Sequence, residues 1–314
     1  MCVFKESEKV LDRAAKILLE GKVISAMTET VYGLLGNAED PRAIKAIYEF
    51  KKRPIFNPLI VHVNSIKMAK RIACFTKDAE KLSNSLWPGP LTLILKKKKS
   101  NICSTVTANL ETIAIRFADS KIFSKIISKI NKPIAAPSAN ISGFVSSTKP
   151  SHVKKYFKNK IDLIIDSGQS RYGIESTVID LTTCPYQILR LGIIEKKIIK
   201  DLLGKDIIEI TKQNSKISSP GQLLKHYSTN TPIRMNAKKK LKGEAFLGFG
   251  EKQNEEKINL NLSKDSNLNE AAFNLFDYLI KLDKLNMRKI AISPIPDIGL
   301  GRVINDKLKR ASKK

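Results

Sequence analysis

The chain has 314 residues, 42% of them hydrophobic, and its 56 Lys and Arg against 30 Asp and Glu give a formal net charge of +26. That length suits two ordinary domains with packed cores; the charge fits anionic partners such as nucleotides or RNA, and equally a chain that is lysine-rich throughout. The four cysteines (Cys2, Cys74, Cys103, Cys184) and three histidines (His62, His152, His226) lack metal-ligand spacing, and no apolar run is long enough for a membrane span or signal peptide, so the composition argues against a zinc site, a disulfide framework and a membrane protein and for a reducing cytoplasm.

Ser7 is placed to cap a first helix whose apolar positions (Val10, Leu11, Ala14, Ala15, Ile17, Leu18) fall at helical spacing, with Gly21 ending it. Val23 to Ala26 reads as a short buried strand that delivers Thr28-Glu29-Thr30-Val31-Tyr32-Gly33-Leu34. Asp40-Pro41 opens a second helix through Ala43, Ile44, Ile47 and Tyr48. Then comes Lys51 to His62, KKRPIFNPLIVH. Pro54 and Pro58 restrict the backbone here, so the segment should be a stiff extended loop leading into a strand over Leu59–Val63. By itself it reads equally as a basic turn or as an anion site.

Helical runs near Ile66–Ile72 and Asp78–Leu86 precede a turn at Trp87-Pro88-Gly89-Pro90. Leu91–Leu95 is a strand, followed by an exposed basic run, Lys96 to Lys99. Further strands are expected at Ile113–Phe117 and Leu163–Asp166, with a helix at about Lys121–Ile130, and Ile134–Ala136 leads into the Pro137–Gly143 segment. Ser176–Leu181 and Gln187–Arg190 should form a hairpin, and a helix near Glu195–Leu203 closes the unit. Interleaved strands and helices make this an α/β domain with a mixed sheet. Residues 212–234 are polar and carry Pro and Gly, which marks a linker. A small second α/β domain follows, with strands at Ala245–Phe249 and Ile290–Ile292 and helices at Leu268–Leu282 and Asn305–Lys314. The division is thus 1–211, 212–234 and 235–314.

Polar clusters sit at strand ends: Thr28–Thr30, Lys51–His62, Thr112–Arg116, Ser138–Asn140 with Thr148, and Ser176–Thr177 with Arg190. Ligands of open α/β sheets bind at strand ends. These clusters supply cations, hydroxyls and amides, and almost no carboxylate pair, Cys–His pair or metal cluster. Such an inventory suits positioning and charge stabilisation of carboxylates and phosphates, as in nucleotidyl transfer, better than covalent catalysis. Neither a Walker loop nor GxGxxG is present. Glu175 reads as a strand-edge surface residue in preference to a catalytic carboxylate. Arg116 suits a structural ion pair as well as a ligand contact, and His62 a core histidine as well as a site residue.

The motifs TETVYGL (Thr28–Leu34), KKRPIFNPLIVH, WPGPLTLIL (Trp87–Leu95), TIAIRF (Thr112–Phe117), APSANISG (Ala136–Gly143), ESTVIDL (Glu175–Leu181) and ILRLG (Ile188–Gly192) together resemble the YrdC-like family, specifically its two-domain threonylcarbamoyl-AMP synthases. They stand in family order over roughly residues 5–205, and SPGQLLKHYSTNTP (Ser219–Pro232) resembles the family's interdomain linker. The resemblance implies a YrdC-like twisted mixed sheet with flanking helices plus a small Rossmann-like C-terminal domain. It also implies a reaction in which L-threonine, bicarbonate or CO2, and ATP give threonylcarbamoyl-AMP and pyrophosphate. That product supplies the tRNA threonylcarbamoyltransferase machinery, which modifies the adenosine next to the anticodon.

By the same resemblance, Thr30, His62, Arg116, Ser138 and Ser176 match positions around L-threonine. Arg53, Asn57, Thr112, Asn140, Thr148, Arg190, His226 and Tyr227 match positions around ATP. Lys51, with Arg53, matches the basic residues beside the reacting groups, and Mg2+ would accompany ATP. The chain departs from the family at Met27 (usually Pro), Lys52 (often Gly) and Ala118 (commonly Pro). Two other readings are a non-catalytic double-stranded-RNA-binding module using the basic surface, and a carbamoyl-transfer domain of the hydrogenase-maturation type. The second lacks its usual zinc-finger and acylphosphatase-like segments.

Overall fold

A computed structural model describes residues 2–210, 226–251 and 260–313. The first part of the chain runs β1 (Cys2–Lys5), α1 (Glu8–Leu19), β2 (Ile24–Met27), β3 (Tyr32–Asn37), α2 (Pro41–Lys51), β4 (Ile60–His62), α3 (Ile66–Ile72), α4 (Lys77–Leu86), β5 (Leu91–Lys96), β6 (Thr112–Arg116), α5 (Lys121–Ile130), β7 (Ile134–Ala135), α6 (Pro150–Phe157), β8 (Leu163–Asp166), β9 (Thr177–Asp180), β10 (Tyr186–Arg190), α7 (Lys196–Leu203) and β11 (Ile207–Glu209). The second part contains β12 (Ile233–Arg234), β13 (Glu244–Gly248), β14 (Leu260–Asn261), α8 (Leu268–Asp283), β15 (Lys289–Ile292) and α9 (Leu300–Ala311).

The helix ends follow the local chemistry. Ser7 Oγ accepts the Val10 N–H at 3.3 Å to start α1, which buries Leu11, Ala14, Ala15, Ile17 and Leu18. Asp40 caps α2 through the Arg42 N–H, Pro41 occupies the first turn, and Lys52 ends the helix at φ 50°. That left-handed cap accounts for the family's usual glycine here: the position needs a backbone that glycine adopts without strain. The Lys52 side chain is exposed, so it does not crowd the site.

The first sheet has the order β1-β8-β2-β3-β7-β4-β6-β5-β9-β10-β11 and mixes parallel with antiparallel pairs, as expected of a mixed α/β sheet. β9 and β10 do form the antiparallel hairpin, with a register shift between Ile188 and Arg190. The sequence reading misses β1, β3, β7, α6, β11, β12 and β14, and it starts the last helix at Asn305, where α9 begins at Leu300. Of the linker, residues 212–225 lie outside the described residues.

The second sheet, β12-β15-β13-β14, is parallel and already begins at Ile233. Its core receives Val31, Val145 and Ile174 from loops of the first part, beside Ala272, Leu275 and Phe276 of α8. At Gly173 a Cβ would come within 2.5 Å of the Phe273 carbonyl oxygen, so this close approach of the two parts requires glycine. Asp277 of α8 adds an ionic tie, meeting Lys149 at 2.8 Å and His152 Nε2 at 3.2 Å. The Thr148 N–H donates to His152 Nδ1 at 3.2 Å, which leaves Nε2 as the protonated nitrogen facing Asp277.

Candidate active site

Strand alternation divides the centre of the large sheet into two faces. Val61, Leu91, Leu93, Ile113, Ile115 and Ile179 point into the main core against the helices. The opposite face carries a second, smaller apolar patch of Ile60, Ile94, Ala114, Val178 and Leu189. Along it stand His62, Arg116, Thr92 and Arg190. Register sets them side by side, with His62 opposite Arg116 and Arg190 opposite Val178. This face, with the loops at 28–33, 136–138 and 175–176, holds the predicted site.

Thr30, Arg53, His62, Arg116, Ser138, Arg190 and His226 all line one cavity. Lys51, Asn57, Asn140, Thr148, Ser176 and Tyr227 are buried in the shell around it. Lys51 Nζ donates to the carbonyls of Ser138 (2.5 Å) and Asn140 (2.7 Å), so it pins the 138–140 loop to the end of α2. Arg53 donates to the Asn57 carbonyl (2.9 Å), Asn57 Oδ1 (2.5 Å) and the Pro58 carbonyl (2.6 Å). The stiff loop expected between the two prolines is therefore folded around its own arginine. Ser138 Oγ donates to Asn140 Oδ1 at 2.6 Å, and the Thr28 and Thr30 hydroxyls lie 2.8 Å apart. Ser176 is a hub: Arg190 Nε donates to its carbonyl (2.9 Å), Arg190 Nη2 to its Oγ (2.8 Å), and Thr92 Oγ1 is 2.8 Å from the same hydroxyl.

These cations strain one another electrostatically. Burial first, then Arg53, drives the Lys51 pKa well down, and Glu175 opposes the shift. Arg53 itself is lowered to about 10, chiefly by burial. Burial also lowers Arg190. His62 is held neutral by burial and by Arg116, and His226 by burial with Lys51, Arg53, Lys307 and Arg190 around it. Like charges buried this close are relieved by a polyanion, which lets each keep its proton.

Two carboxylates temper the cage, and the sequence reading gave neither a role there. Glu175 is 4% exposed and lines the cavity, which corrects its reading as a surface residue. The loop holding it is covered by the second part of the chain, whose contribution the local pattern could not reveal. Ser146 Oγ donates to Glu175 Oε1 at 2.5 Å, while Oε2 has no hydrogen-bond partner among the described residues. Glu29 lies 2.7 Å from Arg116 Nη2. The contact is at ion-pair distance but poorly aligned, since neither atom counts as hydrogen-bonded. Arg116 is thus in a structural ion pair and on the cavity wall at once.

Thr112 stands apart from this group. It shares the sheet face of Ala114 and Arg116 but sits at the far end of β6, opposite Lys96 and about 13 Å along the strand from Arg116. A roomier cavity of about 310 Å³ lies elsewhere, among Glu195, Lys196, Lys200, Glu209 and Arg302. Its Arg302 is already paired with Glu209 and its Lys200 with Asp206, both at 2.7 Å, so it lacks the converging groups of the sheet-face site.

The family model Sua5/YciO/YrdC, described as telomere recombination, matches residues 16–192. A model for the threonylcarbamoyl-AMP synthase C-terminal domain matches residues 193–313. A threonylcarbamoyl-AMP synthase of Pyrococcus abyssi is 36% identical over 95% of this chain and 93% of its own length. One of Bacillus subtilis is 35% identical over 96% of this chain and 92% of its own. The crystal structure of P. abyssi Sua5 complexed with L-threonine superposes with a TM-score of 0.90 at 34% identity, covering 99% of this chain and 96% of that one.

Proposed function

The chain belongs to the Sua5/YciO/YrdC family in its two-domain form, and from that premise we infer that it is a threonylcarbamoyl-AMP synthase, an enzyme that joins L-threonine, bicarbonate or CO2, and ATP with release of pyrophosphate. The observation that carries the chemistry is the buried set of Lys51, Arg53, Arg116 and Arg190 around one cavity, with fewer carboxylates than cations.

In this reading Arg116 grips the threonine carboxylate, with Thr30, His62, Ser138 and Ser176 completing that end. Threonine's amine captures CO2 as a carbamate, and a carbamate oxygen attacks the α-phosphorus while pyrophosphate leaves. No protein nucleophile is needed. Arg53 and Arg190 stabilise the charge on the phosphates, and Lys51 sets the 138–140 loop between the two substrates. The adenosine lies along the apolar face of Ile60, Ala114 and Leu189 toward Thr112, with Asn57, Asn140, Thr148, His226 and Tyr227 around the nucleotide.

Mg2+ bound with ATP would supply neutralisation of the phosphate charge. No cluster of three His, Cys, Asp or Glu residues able to hold a metal occurs among the described residues, and the unpartnered Glu175 Oε2 is a hard oxygen suited to a phosphate-borne Mg2+. The division into a catalytic domain (1–211), a covering linker (212–234) and a small α/β domain (235–314) belongs to this proposal. So does transfer of the product to the tRNA-modifying machinery. A cytosolic setting fits the four unpaired cysteines, and among the described residues no helix is long and apolar enough to cross a membrane.

The deciding experiment is mass detection of the adenylate with L-threonine and bicarbonate present or singly omitted. Product and pyrophosphate should appear only with both. ATP turnover indifferent to threonine would sink the reading. A non-catalytic RNA-binding module, by contrast, gives no reason for arginines and hydroxyls to be buried together on one sheet face.

A further inference from the structure

The last helix carries a side chain that the chemistry above leaves unused. Lys307 of α9 is 1% exposed. A lysine buried this deeply costs folding free energy unless its ammonium is well partnered. Its Nζ donates to the Leu191 carbonyl at 2.7 Å, lies 3.4 Å from Asp306, and stands 5.2 Å from the centroid of the Tyr227 ring. One ammonium thus joins α9, the segment at Tyr227 and the residue that follows Arg190 on β10.

Tyr227 needs to be held. Its φ of +63° is a left-handed conformation that costs an L-residue roughly 1–2 kcal/mol. Its hydroxyl has no partner among the described residues. What holds the ring comes from the second part of the chain: Phe276 of α8 stacks on it at 5.3 Å and 21°, and Lys307 supplies the cation. On the other side the segment meets the site. His226 sits edge-on to the Tyr227 ring at 4.1 Å and lines the cavity. The Ser228 N–H donates to the Gly143 carbonyl at 2.8 Å, just past the Asn140 loop. At the far end of the same ammonium, Gly192 packs so tightly that a Cβ would lie 2.3 Å from the Thr177 N. The Leu191 carbonyl is therefore a rigid anchor beside Arg190.

We propose that Lys307 is a positioning residue through which the C-terminal domain sets the ATP side of the site. Its ammonium fixes Tyr227, and through it His226 and the pairing of Ser228 with Gly143, while its bond to Leu191 steadies the strand end that carries Arg190. The kinetic part of this proposal rests on the adenylate-forming reading of the site; the geometric part does not.

The test uses the full-length protein with Lys307→Met, which keeps the length of the stem and removes the charge, and Lys307→Arg, which restores a cation. Hydrogen exchange at the Ser228 amide should quicken about tenfold or more in Lys307→Met, with Ile115 in the central sheet unchanged, and return toward the original rate in Lys307→Arg. In kinetics, KM for ATP should rise about tenfold with KM for L-threonine within about twofold, whereas a merely structural role would lower the active fraction and leave both KM values alone. An unchanged Ser228 rate in the folded variant, or equal acceleration across the whole C-terminal domain, overturns the proposal. If the unaltered protein makes no adenylate, the functional reading fails, and the exchange experiment still decides the positioning role.

Discussion

Arg116 allows the forces that hold the fold to be separated from those that hold the substrate. The residue is 4% exposed, its Nη2 lies 2.7 Å from Glu29, and its Nε donates to the Gly89 carbonyl at 3.3 Å. Arg116→Met leaves Glu29 buried without its cation. Removing one partner of a buried pair costs about 3–5 kcal/mol, and at about 2 °C per kcal/mol for a large domain the melting temperature should fall roughly 6–10 °C. The same change deletes the group assigned to the threonine carboxylate. Losing a buried charge-assisted contact costs at least about 2 kcal/mol, so KM for L-threonine should rise about 30-fold or more while KM for ATP moves less than about threefold. Adding Glu29→Gln removes the stranded charge. The double variant should recover most of the melting temperature and none of the threonine affinity. Scanning calorimetry reads the first quantity, and pyrophosphate release titrated in threonine at saturating ATP and bicarbonate reads the second. If neutralising Glu29 leaves melting depressed, or if threonine affinity returns with it, the account of this pair is wrong.

Lys52→Gly should stabilise the protein by about 0.5–1 kcal/mol, seen as a small rise in melting temperature at unchanged kcat, because it relieves the left-handed cap of α2 outside the cavity. Ser176→Ala removes the hydroxyl shared by Arg190 and Thr92 in the free protein; at about 1.5–3 kcal/mol for a hydrogen bond to a charged group, the melting temperature should fall roughly 3–6 °C, and kcat/KM should fall with it because Arg190 loses its hold. His62 and His226 are both held neutral, their folded pKa values depressed below the ordinary histidine range by burial and then by neighbouring cations. The unfolded chain takes up these protons first, so stability should drop as pH falls below about 6.5 toward the folded values, by up to about 1.4 kcal/mol per pH unit for each residue. Denaturant melts from pH 7 to 5 measure this slope; His62→Gln should flatten it, and a level profile would refute the assignment.

Local pattern was enough to identify most of the elements. Helical spacing, the caps at Ser7 and Asp40 and period-two alternation reflect interactions within a few residues, which any window of sequence displays. Short or edge pieces were missed for the same reason turned round. β1, β11, β12 and β14 have two to four residues each and owe their extended form to a partner strand, while α6 has only a Pro start and two turns to announce it. Among site residues, Glu175 reads as surface in the sequence because its environment is made by Ser146 and by the C-terminal domain packed over Val145 and Ile174. Glu29 carries no local signal of its role, because its partner Arg116 stands on β6.

By itself, then, the sequence determined the chemistry on offer: cations, hydroxyls and amides at strand ends, in motifs specific enough to name a family. The tertiary structure alone decided how that chemistry is arranged. It made Lys51 a brace for the 138–140 loop, paired Arg116 with Glu29, turned Ser176 into the hub of Arg190 and Thr92, and brought Lys307 from the last helix beneath Tyr227. Each of these contacts joins residues on different strands, loops or domains. Which of them meet is set by sheet order and by burial against a second domain, and a polar side chain's role changes with the partner it finds once water is excluded.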